Sequence, residues 1–199
     1  RGIKALEEVG LMDDIRKICI PMHGRYMHNA DGTTAYQPYG KEGQYINSVS
    51  RGELNCKLMD LSEQHGVEIH FNQKCEHIDW HKNELTLQDA ITLKPSTLNF
   101  QLLFGSDGAY SAARLTHQLQ QDRFQYSQYF IDFGYKELNI PAGENGAFLL
   151  EKHALHIWPR GNYMMIALPN MDGSFTCTLF FPFDGEVSFA SLDTKEKVK

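Results

Sequence analysis

The chain is 199 residues long, 42% hydrophobic and 22% charged, with a formal net charge of −6. These are the proportions of a folded globular protein with room for one large domain or two small ones. The acidic balance argues against nucleic acid as a main partner, and no apolar run approaches the ~20 residues that span a bilayer.

The opening Arg1-Gly-Ile-Lys4 is helix-like rather than a secretion signal. Residues 1–9 set Ile3, Leu6 and Val9 at core spacing and predict an amphipathic helix. Residues 20–28 and 34–39 read as two extended segments around an Asn29-Ala-Asp-Gly32 turn, whose Asp-Gly pair signals a hairpin. A helix then starts after Ser50, the candidate N-cap, with Glu53 completing a capping box. Its buried stripe is Leu54, Leu58, Leu61 and Ser62, and His65-Gly66 supplies the C-terminal stop. Residues 67–72 alternate as a strand, 75–80 and 84–88 form a hairpin, and Phe100–Phe104 reads as a buried strand. From about 125 the pattern changes to strand-like segments: Tyr126–Tyr135, Gly146–Leu150, Leu155–Pro159, Tyr163–Leu168 and Phe175–Phe181. Short turns between them predict an antiparallel sheet. The charged stretch Leu192–Lys199 shows no closing element, and both ends read as cut from a longer protein.

The four cysteines (Cys19, Cys56, Cys75, Cys177) lack CxxC spacing and read as reduced thiols of a cytosolic protein. His153 and His156 stand three apart in a predicted strand, which puts them on opposite faces. No metal site is expected.

The most informative stretch is Gly105–Arg114, GSDGAYSAAR. It follows an apolar run and leads into helical composition. Ligands of α/β sheets bind in the crevice at strand C-termini. Gly108 lets backbone approach a phosphate-bearing ligand, and a helix N-terminus favours a pyrophosphate. Asp107 is able to accept from a ribose hydroxyl or to hold an ordered water. On residues alone, Ser111 is a helix cap and Arg114 a surface cation. Arg25 and Tyr39 read alone as a surface arginine beside a strand tyrosine. Arg51 is a cation in a first helical turn, an electrostatically poor place that hints at a paired anion. Met164, Ile166 and Leu168 alternate along one strand and point the same way. With Leu155 and Phe180 they form an apolar face that reads equally as core or as a pocket wall. Trp158-Pro-Arg160 reads as a strand-end turn with structural aromatic packing.

GSDGAYSAAR resembles the second, Asp-Gly fingerprint of the flavin-dependent aromatic hydroxylases. Within them the chain is similar to the kynurenine hydroxylases, through IPMHGRYMH, QPYG, YINSVSRGELN, FGYKELNIP, LHIWPRGNYMMIALPN and SFTCTLFFPF. The resemblance implies an α/β fold: a partial FAD-binding domain, Rossmann-like and of the p-hydroxybenzoate-hydroxylase type, over residues 1–120. An antiparallel β-sheet substrate domain follows over 121–199, with residues 20–40 contributing to the substrate site. The family's N-terminal GxGxxG and its later Gly-Asp motif have no counterpart in these residues, so the chain reads as an internal fragment carrying part of the FAD site.

The same resemblance implies FAD as cofactor, NADPH and O₂ as co-substrates, and L-kynurenine as the molecule hydroxylated. It makes Arg25 and Tyr39 the carboxylate-binding pair, a role that suits a guanidinium's parallel donors. Leu155, Met164, Ile166, Leu168 and Phe180 become walls of the ring pocket. Arg51, Cys75, Asp107, Gly108 and Arg114 become cofactor contacts, Cys75 through its backbone. No catalytic acid, base or nucleophile is expected from these residues, because the chemistry belongs to the cofactor. A bacterial parent is expected in the cytoplasm, a eukaryotic one at the mitochondrial outer membrane. Two other readings stay open: a related flavin hydroxylase acting on another aromatic acid, and a cofactor-free, non-catalytic fragment.

Overall fold

Along the chain run α1 (Gly2–Glu8), α2 (Met12–Arg16), β1 (Ile20–Met22), β2 (Gly24–His28), β3 (Thr34–Pro38), β4 (Ile46–Ser48) and α3 (Arg51–Gln64). They are followed by β5 (Gln73–Asp79), β6 (Glu84–Asp89), β7 (Pro95–Asn99), α4 (Ala112–Gln120), β8 (Phe133–Ile140), β9 (Ala154–Arg160), β10 (Tyr163–Pro169), β11 (Phe175–Pro182) and α5 (Lys195–Val198). The structure, a computed structural model, describes residues 2–41 and 43–198. It divides into two compact units, Arg1–Gln64 with Ile131–Lys199, and His65–Phe130. The boundary expected near residue 120 does not coincide with this division, because β2 and β3 pair into the same sheet as β8–β11.

The first unit is built on a six-stranded sheet in the order β3-β2-β9-β10-β11-β8. All its neighbours are antiparallel except β2 and β9, which run parallel with Arg25 opposite Leu155. Successive strand residues face opposite ways, so the register sorts the side chains into two faces. One face is core. Ala154, His156, Ala167, Phe175 and Cys177 are buried there, with Phe148, Leu150, Trp158 and Met165 packed around Ala167, Phe175 and Cys177. The other face carries Arg25, Leu155, Ile166, Leu168 and Phe180, none of them fully buried. The hairpin expected around Asn29–Gly32 is present as β2–β3. Four strands form after residue 125 instead of five. Gly146–Leu150 follows a 3₁₀ turn and joins no ladder among the described residues, and pairing in the first segment begins only at Phe133.

Helix α3 starts after Ser50 as expected: Ser50 Oγ accepts from the Glu53 N–H at 3.4 Å, and Gly66 takes φ +82° just past the end. The return bond from the Ser50 N–H to the Glu53 carboxylate, which would complete the expected capping box, is absent among the described residues. Leu61 is buried, with Leu54, Leu58 and Ser62 half-buried beside it. The stripe expected in the first helix is different. Ile3 and Val9 are exposed, and the buried residues are Met12 and Ile15 of α2; Arg1 lies outside the described residues. A seven-residue helix has two turns, too few to present a broad face. At the other end the charged stretch does hold a helix, α5, where the Thr194 hydroxyl accepts from the Lys197 N–H; Lys199 lies outside the described residues.

Two imidazoles meet on the core face. His156, 2% exposed, has Nε2 at 2.9 Å from the Glu151 carbonyl, so Nε2 carries the proton and donates. His156 Nδ1 then accepts from His28 Nε2 at 2.9 Å. His28 stacks on Trp158 at 4.3 Å, and Arg160 donates to the His28 carbonyl. Burial lowers both imidazole pKa values, with His156 and Arg160 adding to the effect on His28. A histidine held neutral in the fold binds fewer protons than in the unfolded chain. Its stabilisation is therefore complete above about pH 6.5, the unfolded value, and declines as pH falls toward the lower folded values. The melting temperature is expected to drop between pH 7.5 and 5.5. In a His28→Gln variant, which keeps an amide donor toward His156, the drop should shrink; thermal melts across that range decide it.

The second unit is a meander, β5-β6-β7, with α4 packed on β5. The expected hairpin is present, and its turn is held by Asp79, whose Oδ1 accepts from the N–H groups of His81 and Lys82 at 3.0 Å. Gln120 Nε2 donates to the Ile78 carbonyl at 2.9 Å and anchors the end of α4. Trp80 meets Phe100 and His117 edge-on, and His117 meets Phe124 the same way. Two expected strands form no ladder among the described residues: 67–72 and Phe100–Phe104. Leu102 and Phe104 are 72% and 82% exposed rather than buried. A buried parallel strand needs a partner on each side, and no described strand lies alongside either segment.

Candidate functional site

In the second unit Asp107 organises the turn into α4. Its Oδ1 accepts from the Ser111 hydroxyl at 2.5 Å and its Oδ2 from the Ala113 N–H at 3.1 Å. Ser111 in turn caps the helix, accepting from the Arg114 N–H at 2.9 Å. The Ser111 bond, helped by backbone N–H groups, holds the Asp107 carboxyl below its ordinary range, so the group is an anion with acceptor capacity left over. Gly108 takes φ +80°, and a Cβ there would meet nothing within 4 Å. Its glycine is thus required by backbone conformation, and the space above it is open. At Gly105 a Cβ would meet the Ala113 methyl at 2.9 Å, so the loop lies directly on the helix.

Arg114 turns back onto this loop. Its Nη1 donates to the Gly108 carbonyl at 3.3 Å and its Nη2 to the Ala109 carbonyl, while the guanidinium lies 5.0 Å from the Tyr126 ring centroid. Cys75 and Asp107 line one cleft of about 230 Å³, with Leu103, Phe104 and Gly105. Strand β5 is an edge strand whose register shifts between Cys75 and His77, a bulge that withdraws backbone groups from the ladder. Burial, with the Asp107 charge nearby, pushes the Cys75 thiol pKa up and keeps it unreactive. A Ser111→Ala variant should lose about 1 kcal/mol with its helix cap. The Asp107 carboxyl should also rise toward its ordinary range, which an NMR titration of that carboxyl would follow.

The remaining site residues lie in the first unit. The Arg25 guanidinium sits 5.4 Å from the Tyr39 ring centroid. The Tyr39 backbone N–H is tied to the His23 carbonyl at 2.9 Å, which fixes the ring's position beyond β3. Its hydroxyl is buried and has no hydrogen-bond partner among the described residues. Burial raises its pKa despite the nearby guanidinium, so it remains a neutral donor. A buried donor without a partner is costly, and next to an exposed cation it fits an incoming anionic acceptor.

Arg51, at the start of α3, lines a cleft of about 250 Å³ with Ser48, Ser50, Glu137, Leu168 and Thr176. Its nearest described carboxylate is that of Glu137, with 3.9 Å between Nη2 and Oε2 and both side chains exposed. Leu168 carries this cleft onto the apolar sheet face. Met164 and Phe180, register partners on β10 and β11, line a second cleft of about 360 Å³ with Phe133, Pro159 and Tyr163. Leu155 stands on β9 opposite Arg25, on the same face. Arg25, Leu155, Met164, Ile166, Leu168 and Phe180 therefore share one face of one sheet. Sequence reasoning missed Glu137 and Thr176. The alternation of β11 through Thr176, Thr178 and Phe180 carries the signal for Thr176, whereas Glu137 becomes visible only from the β8–β11 register. Trp158 packs against His28 on the opposite face, in the structural role expected for it.

In fold the chain is similar to 2-methyl-3-hydroxypyridine-5-carboxylic acid oxygenase, with TM-score 0.70, 18% identity and coverage of 91% of this chain and 46% of that one. It is also similar to Klebsiella pneumoniae R204Q HpxO complexed with FAD, with TM-score 0.67, 15% identity and coverage of 94% and 47%. No family model matches the chain. The fold is that of the FAD-dependent hydroxylases, mixed α/β with antiparallel sheets. Within that class the chain is similar in sequence to the kynurenine 3-monooxygenases. The one from Christiangramia forsetii is 47% identical over 198 residues, covering 99% of this chain and 44% of that protein. The chain spans less than half the length of the curated relatives it matches.

Proposed function

We propose that the protein carrying this chain is an FAD- and NADPH-dependent monooxygenase that hydroxylates L-kynurenine to 3-hydroxykynurenine. The observation that carries the reading is the Arg25–Tyr39 pair: an exposed guanidinium beside a buried hydroxyl that has no hydrogen-bond partner among the described residues, at the edge of an apolar sheet face. This geometry suits an aromatic amino acid, with its carboxylate on Arg25 and Tyr39 and its ring against Leu155, Met164, Ile166, Leu168 and Phe180. The open space above Gly108 and the spare acceptor capacity of Asp107 fit a ribose-bearing cofactor. Cys75 would offer backbone from the bulged edge of β5, and Arg51 a cation.

FAD, when bound, supplies the redox chemistry, taking electrons from NADPH and activating O₂. What this chain adds is placement. The carboxylate anchor sets the depth of the substrate, and the apolar face excludes water around the aromatic ring. Arg114 keeps the Gly108–Ala109 turn in shape rather than reaching outward. Asp107 stays an anion and moves no proton. No side chain described here needs to act as general acid or base. Location would follow the source, the cytoplasm in a bacterium and the mitochondrial outer membrane in a eukaryote.

The test is the purified full-length protein. It should carry a flavin absorption spectrum, and L-kynurenine should accelerate its NADPH consumption with 3-hydroxykynurenine as product. Stimulation by a phenolic acid and not by L-kynurenine would favour a related hydroxylase of another aromatic acid. A colourless protein that takes up no FAD would favour the non-catalytic reading.

A further inference from the structure

A free amino acid brings an ammonium group as well as a carboxylate, and the Arg25–Tyr39 pair answers only the carboxylate. On the same face of the β2–β3 hairpin the side chains are Arg25, Met27, Ala35 and Gln37. Gln37 is the register partner of Arg25 and stands two residues before Tyr39. The two strands are closely set there, since a Cβ at Gly24 would meet the Gln37 carbonyl at 2.5 Å. Opposed residues on one sheet face hold their Cβ atoms about 4.5–5.5 Å apart, so the amide and the guanidinium border one small patch. Gln37 is exposed, and its side chain makes no hydrogen bond among the described residues.

We propose that Gln37 is the acceptor for the substrate's α-ammonium and makes this protein selective for zwitterionic aromatic amino acids over simple aromatic acids. The inference rests on the reading of Arg25 and Tyr39 as the carboxylate anchor. The chemistry favours an amide at this position. A carboxylate opposite Arg25 would pair with it and cancel the anion site. A neutral carbonyl oxygen accepts from an ammonium and leaves the guanidinium free. Tyr39 does not compete for the role, because its hydroxyl is the neutral donor to the carboxylate.

The experiment uses the full-length flavoprotein and two ligands: L-kynurenine and its des-amino analogue, 4-(2-aminophenyl)-4-oxobutanoate. Binding is read from the perturbation of flavin absorbance, and flavin content reports folding. Gln37→Ala should weaken L-kynurenine by roughly tenfold, the low end of the scale for one hydrogen bond to a charge, and leave the analogue within about twofold. Arg25→Ala should weaken both ligands. Gln37→Glu should also weaken both, by capturing Arg25. If Gln37→Ala weakens both ligands equally, or neither, while Arg25→Ala weakens both, the ammonium assignment is wrong and the carboxylate anchor stands. If Arg25→Ala changes neither, the anchor itself fails and the ammonium site falls with it.

Discussion

Arg25→Ala in the full-length protein is expected to raise the KM for L-kynurenine by roughly ten- to a hundredfold. That range corresponds to ~1.5–3 kcal/mol for losing a charge-assisted contact. The loss has two parts. The guanidinium no longer meets the carboxylate, and the buried Tyr39 hydroxyl, which has no partner among the described residues, is left to hold the anion alone. Arg25→Lys should recover only part of the affinity, because an ammonium offers no parallel pair of donors. Saturating substrate should restore much of kcat if Arg25 acts in ground-state binding, and kcat should fall with kcat/KM if it also aims the ring. Flavin content should stay at the wild-type level, since Arg25 is not one of the residues assigned to the cofactor. An unchanged KM for L-kynurenine would remove Arg25 from the site.

The parts of this site legible in the sequence are those that depend on local pattern. Alternation along residues 163–168 is enough to put Met164, Ile166 and Leu168 on one face. The Asp-Gly turn signal gives the β2–β3 hairpin, and Ser50 gives the start of α3. What escaped was set by pairing between distant residues. Gly24–Met27 runs parallel to Ala154–Ile157, about two-thirds of the chain away, and no local feature announces that. The same pairing moves residues 20–40 out of the expected N-terminal domain. Strand β7 escaped for the opposite reason. All five of its residues are exposed, so Pro95-Ser-Thr-Leu-Asn99 shows no alternation, and only its register with β6 makes it a strand. The apolar run Phe100–Phe104 misled because an apolar composition states a preference for burial without providing the neighbours that would bury it.

Phe175→Ala is expected to cost about 3–5 kcal/mol of stability, the range for emptying a phenylalanine site in a packed core. Phe175 is fully buried, pairs with Ile140 and Pro169 across its two ladders, and meets Phe148 and His156 edge-on. Those neighbours belong to four separate segments of the first unit, so the cavity cannot be closed by shifting one of them. His156 loses part of its cover as well. Its imidazole should then charge more readily, and the acid sensitivity of the fold should move to higher pH. The functional consequence should be small. Phe175 lies on the core face and lines neither cleft of the first unit, whereas Phe180, five residues on, alternates to the other face and lines one. Below its lowered unfolding transition the Phe175→Ala protein should therefore keep the wild-type KM, while Phe180→Ala should raise KM with a smaller loss of stability. Urea unfolding and steady-state kinetics on the two variants separate the faces. If Phe175→Ala raised KM as much as Phe180→Ala, the apolar face would not be a substrate wall distinct from the core behind it.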